Sequence, residues 1–234
     1  MSFFSRFGSE PRRRDDRTID AGEPRARMVR DQIRARGVRD PRVLAAMEEV
    51  PRHLFVPPVY LEAAYADQAL PIGHGQTISQ PYIVAMMTEA LEPEPGLAVL
   101  EVGTGSGYQA AVLAACGTDV YSVERIPELH RAARESLEAA GYLDRVHLRL
   151  DDGSRGWPEE APFPRILVTA AAERLPVALV DQLAPDGLLV APVGDPHLQT
   201  ICRYRKLEGR LERQALEGAR FVPLVEGAAP QGSE

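Results

Sequence analysis

The residues best suited to chemistry follow short apolar runs. Val99-Leu100-Glu101-Val102 reads as a buried strand, because the run is brief, Pro95-Gly96 precede it and glycines follow. Gly103, Gly105 and Gly107 then let the main chain turn sharply and approach a ligand with no Cβ in the way. Unpaired amides at the start of the next helix face that ligand and favour an anionic group. Glu101, inside the strand, offers a carboxylate to a cationic amino group. Glu124 ends the run Val120-Tyr121-Ser122-Val123, about 20 residues beyond the glycines, a spacing at which a carboxylate reaches both hydroxyls of a ribose. Asp152, between Asp151 and Gly153, can accept from an adenine amino group. Each has a plain structural alternative: an ordinary βα glycine turn, a surface Glu124 paired with Arg125, and an Asx-type turn at Asp152.

Spacing narrows the ligand. The pattern is Gly103-x-Gly105-x-Gly107 with Tyr108 at the sixth position, a poor fit to the G-x-G-x-x-G dinucleotide fingerprint. No Lys-Ser/Thr follows the glycines, which excludes a P-loop. An acid before the turn is the arrangement found in methyltransferases that use S-adenosylmethionine.

The elements that must position these residues are legible in the rest of the chain. Its 234 residues and 44% hydrophobic content suit one α/β domain with modest extensions. A net charge of -7 argues against broad binding to nucleic acid or acidic membranes. Cys116 and Cys202 suggest neither a disulfide framework nor a zinc site, and no other metal is expected. The start has no apolar targeting segment and no run reaches spanning length, so a cytoplasmic protein is expected.

Residues 1–23 read as a solvated tail, in which Arg12-Arg13-Arg14 is offset by Asp15-Asp16 and Ser2 to Phe7 is the one candidate docking element. Residues 24–80 read as an N-terminal helical cover and substrate loop. Its helices stop at Gly37 and begin again at Asp40-Pro41, a cap followed by a first-turn proline. A short helical segment spans Phe55 to Tyr65, and Ala69 to Gly73 extends into the loop Gly75 to Pro81. Ile83, Met86, Met87, Ala90 and Leu91 form one helical stripe, with Ser79 where an N-cap would stand.

Residues 81–226 complete the domain. Strands at 99–102, 119–123, 146–150, 166–169 and 188–193 alternate with helices at 110–115, 127–140 and 176–183. The alternation predicts a doubly wound, mainly parallel sheet with right-handed crossovers. Thr200–Lys206, the Glu208-Gly209 turn, Leu211–Leu216 and Phe221–Val225 predict antiparallel C-terminal strands. Residues 227–234 form a second tail. In such a fold the ligand lies at the carboxyl ends of the strands, where the glycine turn, Glu124 and Asp152 all fall.

With these residues in view, the chain resembles the protein-L-isoaspartate O-methyltransferases from roughly Met28 to Leu224. The resemblance rests on Leu70-Pro71-Ile72-Gly73, Gln76 to Tyr82, Val99 to Ala111, Ser122 to Arg125, Asp152-Gly153, Val168 to Ala172 and Phe221-Val222-Pro223-Leu224. The Thr-Ile-Ser-Gln-Pro run and the late Val-Pro-Leu are specific to that family, whereas the glycine turn is common to methyltransferases. The resemblance implies a Rossmann-like, S-adenosylmethionine-dependent enzyme that methylates the free α-carboxylate of L-isoaspartyl residues and yields S-adenosylhomocysteine. The ester then collapses to a succinimide, and hydrolysis restores some normal aspartyl. Ser79 matches the active-site serine. Glu101, Gly103, Thr104, Gly105, Gly107, Glu124, Asp152 and Gly153 match cofactor-binding positions. Ile78, Gln80, Pro81, Val222, Pro223 and Leu224 match the walls of the peptide site. Partners are then isoaspartyl peptides and proteins, with no nucleic acid and no membrane, and a monomer is expected. Asp151 stands where the family usually has Gly, and Glu173-Arg174 where proline is common.

A carboxylate acceptor is already ionised at neutral pH, so no strong base is needed near Ser79. Its hydroxyl would instead donate to the acceptor carboxylate and orient it. Three other functions compete: a methyltransferase with another acceptor, a nicotinamide oxidoreductase, and a non-catalytic binding module. The Ser79 loop with Val-Pro-Leu weighs against the first and third, and Tyr108 against the second.

Overall fold

A computed structural model describes residues 21–195 and 197–227. The sequence expectations for Ser2 to Phe7, Arg12 to Asp16 and residues 228–234 lie outside that range. The cover begins with helix α1 (Gly22–Arg27), which continues through a π-helical turn and a 3-10 turn to Gly37, whose φ of 104° provides the left-handed stop. Helix α2 (Pro41–Glu49) starts as expected: Asp40 accepts from the amides of Arg42 at 2.8 Å and Val43 at 3.3 Å, and Pro41 fills the first turn, where no N–H is needed. Asp40→Ala should therefore cost about 1 kcal/mol of stability, read as a lower urea midpoint with unchanged slope.

Two differences from expectation follow in the cover. The segment 52–63 forms two short 3-10 turns (Arg52–Phe55 and Pro58–Ala63) because prolines at 51, 57 and 58 interrupt any longer helix. The expected loop before Pro81 is a β-hairpin, β1 (Leu70–Gly73) with β2 (Gln76–Ile78), in which Leu70 pairs with Ile78 and left-handed His74 and Gly75 make the turn.

Helix α3 (Pro81–Ala90) follows, and it is buried around most of its circumference rather than along one stripe. Its N-cap is Gln80, without a side-chain cap bond, so Ser79 does not cap it.

The core alternates as the sequence implies: β3 (Ala98–Val102), α4 (Tyr108–Ala115), β4 (Asp119–Glu124), α5 (Pro127–Ala140), β5 (Val146–Leu150), β6 (Phe163–Val168), α6 (Val177–Gln182) and β7 (Leu183–Gly194). The antiparallel β8 (Gln199–Leu207) and β9 (Arg210–Ala219) join through Glu208 and Gly209, both at positive φ as a two-residue hairpin turn requires. One seven-stranded sheet results, in the order β5-β4-β3-β6-β7-β8-β9, parallel up to β7.

Alternation along β3 divides the molecule into two layers. Val99 packs with α3, α4 and the cover, whereas Leu100 and Val102 pack on the opposite face with Leu179 of α6. The order reverses beside β3, which leads to β4 on one side and β6 on the other, so a crevice opens over its carboxyl end.

Phe221–Val225 departs from expectation. It is no antiparallel strand but an extended strap that crosses the strand tips, with Ala171 N–H donating to Val222 O at 2.8 Å and Leu224 N–H to Ala171 O at 2.6 Å. The chain leaves the sheet after β9, the outermost strand, and Phe221 N–H donates to the Gln199 side-chain oxygen at 2.8 Å. No helix among the described residues is long and apolar enough to cross a membrane.

Candidate active site

The crevice is a solvent-open cleft of about 620 Å³ between the glycine turn, the ends of β4 and β6, the hairpin and the strap. Gly103, Gly105, Glu124 and Gly153 line it, together with Val222, Pro223 and Leu224. Gly103 lies at φ 98°, and a Cβ there would stand 2.5 Å from the Thr169 hydroxyl, so glycine is needed on two counts. That hydroxyl donates to Gly103 O at 2.7 Å and lies 3.0 Å from Val102 O, pinning the turn from the neighbouring strand. Glu124 is buried at the cleft wall. Its Oε2 accepts from Gly105 N–H and its Oε1 from Ile126 N–H, both at 2.9 Å, and it forms no ion pair with Arg125. Each oxygen keeps a lone pair for a ligand hydroxyl.

The turn's own amides are largely committed to the protein. Gly103 and Thr104 N–H both point to Val123 O, and Gly105 N–H to Glu124. These amides precede α4 and are used as the parallel pairing of β3 with β4 continues into the turn; at the start of α4 itself, Tyr108 N–H donates to the Ser106 hydroxyl at 3.3 Å.

Four other expected cofactor residues do not line the cleft. Glu101 shares the face of Val99 and is wholly buried behind the turn; the Ser122 hydroxyl donates to its Oε2, and its Oε1 has no partner among the described residues. Thr104 shares a 2.6 Å hydrogen bond with the same Ser122 hydroxyl. Glu101 therefore supports the turn from beneath, through Ser122 and Thr104. Gly107 is the left-handed residue before α4, where a Cβ would press on Leu137 and Ala133 of α5 at 3.2 and 3.4 Å. Asp152 makes the Asx turn, accepting from Ser154 N–H at 2.9 Å and its hydroxyl at 2.7 Å, while its Oδ2 accepts from Gly227 N–H at 2.7 Å. Burial raises the Asp152 carboxyl, but these bonds and the charge of Arg155 outweigh it and hold the group below the usual range.

Glu101 behaves oppositely. Burial pushes it up to about 8, opposed by the Ser122 hydroxyl and reinforced by the charge of Glu124. An unfolded glutamate titrates near ~4.3, so between there and about 8 the folded chain keeps a proton that the unfolded chain has lost. Stability must fall as pH rises through that window. Compared with Glu101→Gln, the wild type should lose of order a few kcal/mol between about pH 5 and pH 8, and parallel urea-derived stability curves would refute this.

Ser79 lies in a second pocket, of about 660 Å³, shared with Gln80, Ile83 and residues 217–222. Thr77, Thr169 and Val222 line both this pocket and the cleft, so the two are neighbours across one wall. The Ser79 hydroxyl has no hydrogen bond among the described residues, while its carbonyl accepts from Arg52 at 2.8 Å. Gln80 donates to Asp67 Oδ1 at 2.7 Å.

Two expected peptide-site residues lie elsewhere. Ile78 is core, paired with Leu70, and Pro81 is the buried first residue of α3; neither lines a pocket wall here. Gln76, Thr77, Thr169 and Ala170 line the cleft without having been singled out for the site. The rule that ligands gather at strand ends would have pointed to Thr169 and Ala170, which follow β6 directly.

A family model described as protein-L-isoaspartate(D-aspartate) O-methyltransferase matches residues 24–229. A relative from Methanospirillum hungatei named protein-L-isoaspartate O-methyltransferase is 53% identical over 86% of this chain and 93% of its own length. One of the same name from Gloeobacter violaceus is 54% identical over 85% and 97%. A crystal structure from Plasmodium falciparum, described as a protein-L-isoaspartate O-methyltransferase in complex with S-adenosyl-L-homocysteine, superposes with a TM-score of 0.75 at 26% identity, covering 87% of this chain and 99% of that one. A mainly parallel sheet with a glycine turn at its switch point, a serine pocket sharing a wall with the cleft, and a family match over nearly the whole chain converge: the chain belongs to the protein-L-isoaspartate(D-aspartate) O-methyltransferase family.

Proposed function

We propose that the protein methylates the free α-carboxylate of L-isoaspartyl residues in damaged proteins, so that the ester can close to a succinimide and reopen in part as normal aspartyl. The observation that carries this reading is the wall of Thr77, Thr169 and Val222 common to the cleft and the Ser79 pocket, an arrangement that suits an acceptor site beside a nucleoside site. When bound, S-adenosylmethionine supplies a methyl group on a cationic sulfonium.

The cleft residues suit that cofactor: Glu124 faces outward with lone pairs for the ribose hydroxyls, Gly103 and Gly105 admit close approach, and Val102, Val123 and Ile126 give apolar walls. Ser79, with its hydroxyl uncommitted, donates to the acceptor carboxylate and turns one oxygen toward the cleft. No residue need remove a proton, because the acceptor is already an anion, so positioning and exclusion of water are the protein's contributions. A monomer in the cytoplasm is part of the same reading, and the net charge of -7 supports the absence of nucleic-acid and acidic-membrane partners.

The test is methyl-labelled S-adenosylmethionine with a peptide pair that differs only in isoaspartyl against aspartyl linkage. Label should enter the isoaspartyl peptide alone. Equal labelling of both would point to a different acceptor, and labelling of neither would remove the proposed activity.

A further inference from the structure

The cover contains an arginine whose burial has no ion-pair explanation. Arg52 is fully buried, and no carboxylate among the described residues pairs with it. Its Nε donates to Ala64 O and one terminal nitrogen to Ser79 O, each at 2.8 Å; the other terminal nitrogen is buried without a hydrogen bond. Its guanidinium carbon sits 4.8 Å over the ring of Tyr108. Removing an unpaired cation from water is costly, and an apolar residue would fill the same space at less expense. Burial leaves it a cation at neutral pH, lowered only to about 10.

What the guanidinium holds supplies the reason. The carbonyl of Ser79 falls in a gap in the main-chain bonding. Pairing of β1 with β2 ends at Ile78, and the first bond of α3 runs from Val84 N–H to Gln80 O. Arg52 is the donor that Ser79 O finds among the described residues. Fixing that carbonyl fixes the peptide plane and the direction of the Ser79 Cα–Cβ bond, leaving the hydroxyl only its staggered χ1 positions. The same guanidinium rests on Tyr108, the buried first residue of α4, immediately behind Gly107 and the glycine turn. One side chain thus touches the main chain of the acceptor pocket and the helix behind the cofactor cleft.

We propose that Arg52 is a positioning residue for methyl transfer: anchored on Tyr108, it holds the Ser79 carbonyl and thereby sets the Ser79 hydroxyl relative to the cleft. This rests on the proposed reaction and on the role of Ser79 in it. Misplacement of a reacting group by about 1 Å costs roughly 100-fold in rate, so the effect belongs in turnover rather than in cofactor affinity.

The test compares wild type, Arg52→Lys and Arg52→Met, each also in the Ser79→Ala background, by kcat and KM for an isoaspartyl peptide, calorimetry with S-adenosylhomocysteine, and circular dichroism. Arg52→Met should lower kcat roughly tenfold or more with the dissociation constant for S-adenosylhomocysteine within about threefold of wild type, and Arg52→Lys should recover part of the loss. In the Ser79→Ala background either change should cost less than about threefold, because the residue through which Arg52 acts is gone. An unchanged kcat in Arg52→Lys and Arg52→Met, or an equal loss with and without Ser79, overturns the proposal. If Arg52→Met does not fold, Arg52→Lys decides alone by the same two criteria. A wild type that leaves the isoaspartyl peptide unlabelled defeats the functional reading itself, a result distinct from either.

Discussion

Ser79→Ala should lower kcat/KM for an isoaspartyl peptide by roughly 10- to 150-fold, while S-adenosylhomocysteine binds as to wild type. The magnitude is that of one hydrogen bond to a charged group, about 1.5–3 kcal/mol. The loss stays well below that expected for a nucleophile or general base, because the acceptor carboxylate reacts in its ordinary ionised form. Little loss of stability is expected either. The hydroxyl neither caps α3 nor bonds to any described residue, and the main-chain bond from Arg52 survives the substitution. Turnover and peptide affinity both at wild-type levels would remove the orienting role. A drop in melting temperature with unchanged activity would show that the hydroxyl serves the fold instead.

The sequence carried the strand–turn–helix unit because its signals are local. Brief apolar runs bounded by glycine and proline, a helix from Pro127 to Ala140 and Gly141 as its left-handed stop all appear where periodicity puts them. The hairpin at 70–78 did not show itself, since strands of four and three residues containing Pro71 and Gly73 have no periodic signature. The strap at 221–225 has strand-like composition, but its main-chain partner is Ala171, beyond the end of β6 and distant in sequence. Thr169 was unassigned for a related reason: what matters is its bond to Gly103, 66 residues away, which no short-range pattern encodes.

Glu101 is the instructive case. Its place beside the glycines suggested contact with the ligand, yet the alternation of β3 already puts it on the Val99 face, under α4 and away from the opening. Glu124 lies at the strand's last position, where alternation no longer hides it and the cleft begins.

Glu124→Gln should weaken S-adenosylhomocysteine binding roughly 100-fold or more, and leave KM for the peptide little changed at saturating cofactor. Two losses combine. Both carboxylate oxygens accept main-chain N–H groups, from Gly105 and Ile126, so an amide side chain must turn its NH2 toward one of them. A buried donor left facing a donor costs about 1–3 kcal/mol and loosens either the glycine turn or the start of α5. The ribose hydroxyls then lose one of the two acceptors that Glu124 offers them.

The same substitution carries an internal control. The charge of Glu124 contributes to the raised pKa of Glu101 behind the turn, so removing it should move the Glu101 titration downward and narrow the pH window over which stability falls. A shifted window with unchanged S-adenosylhomocysteine affinity would locate the carboxylate correctly and reject its part in holding the ribose. Weakened affinity with an unshifted window would keep the ribose contact and show that the two acids do not sense each other across the turn.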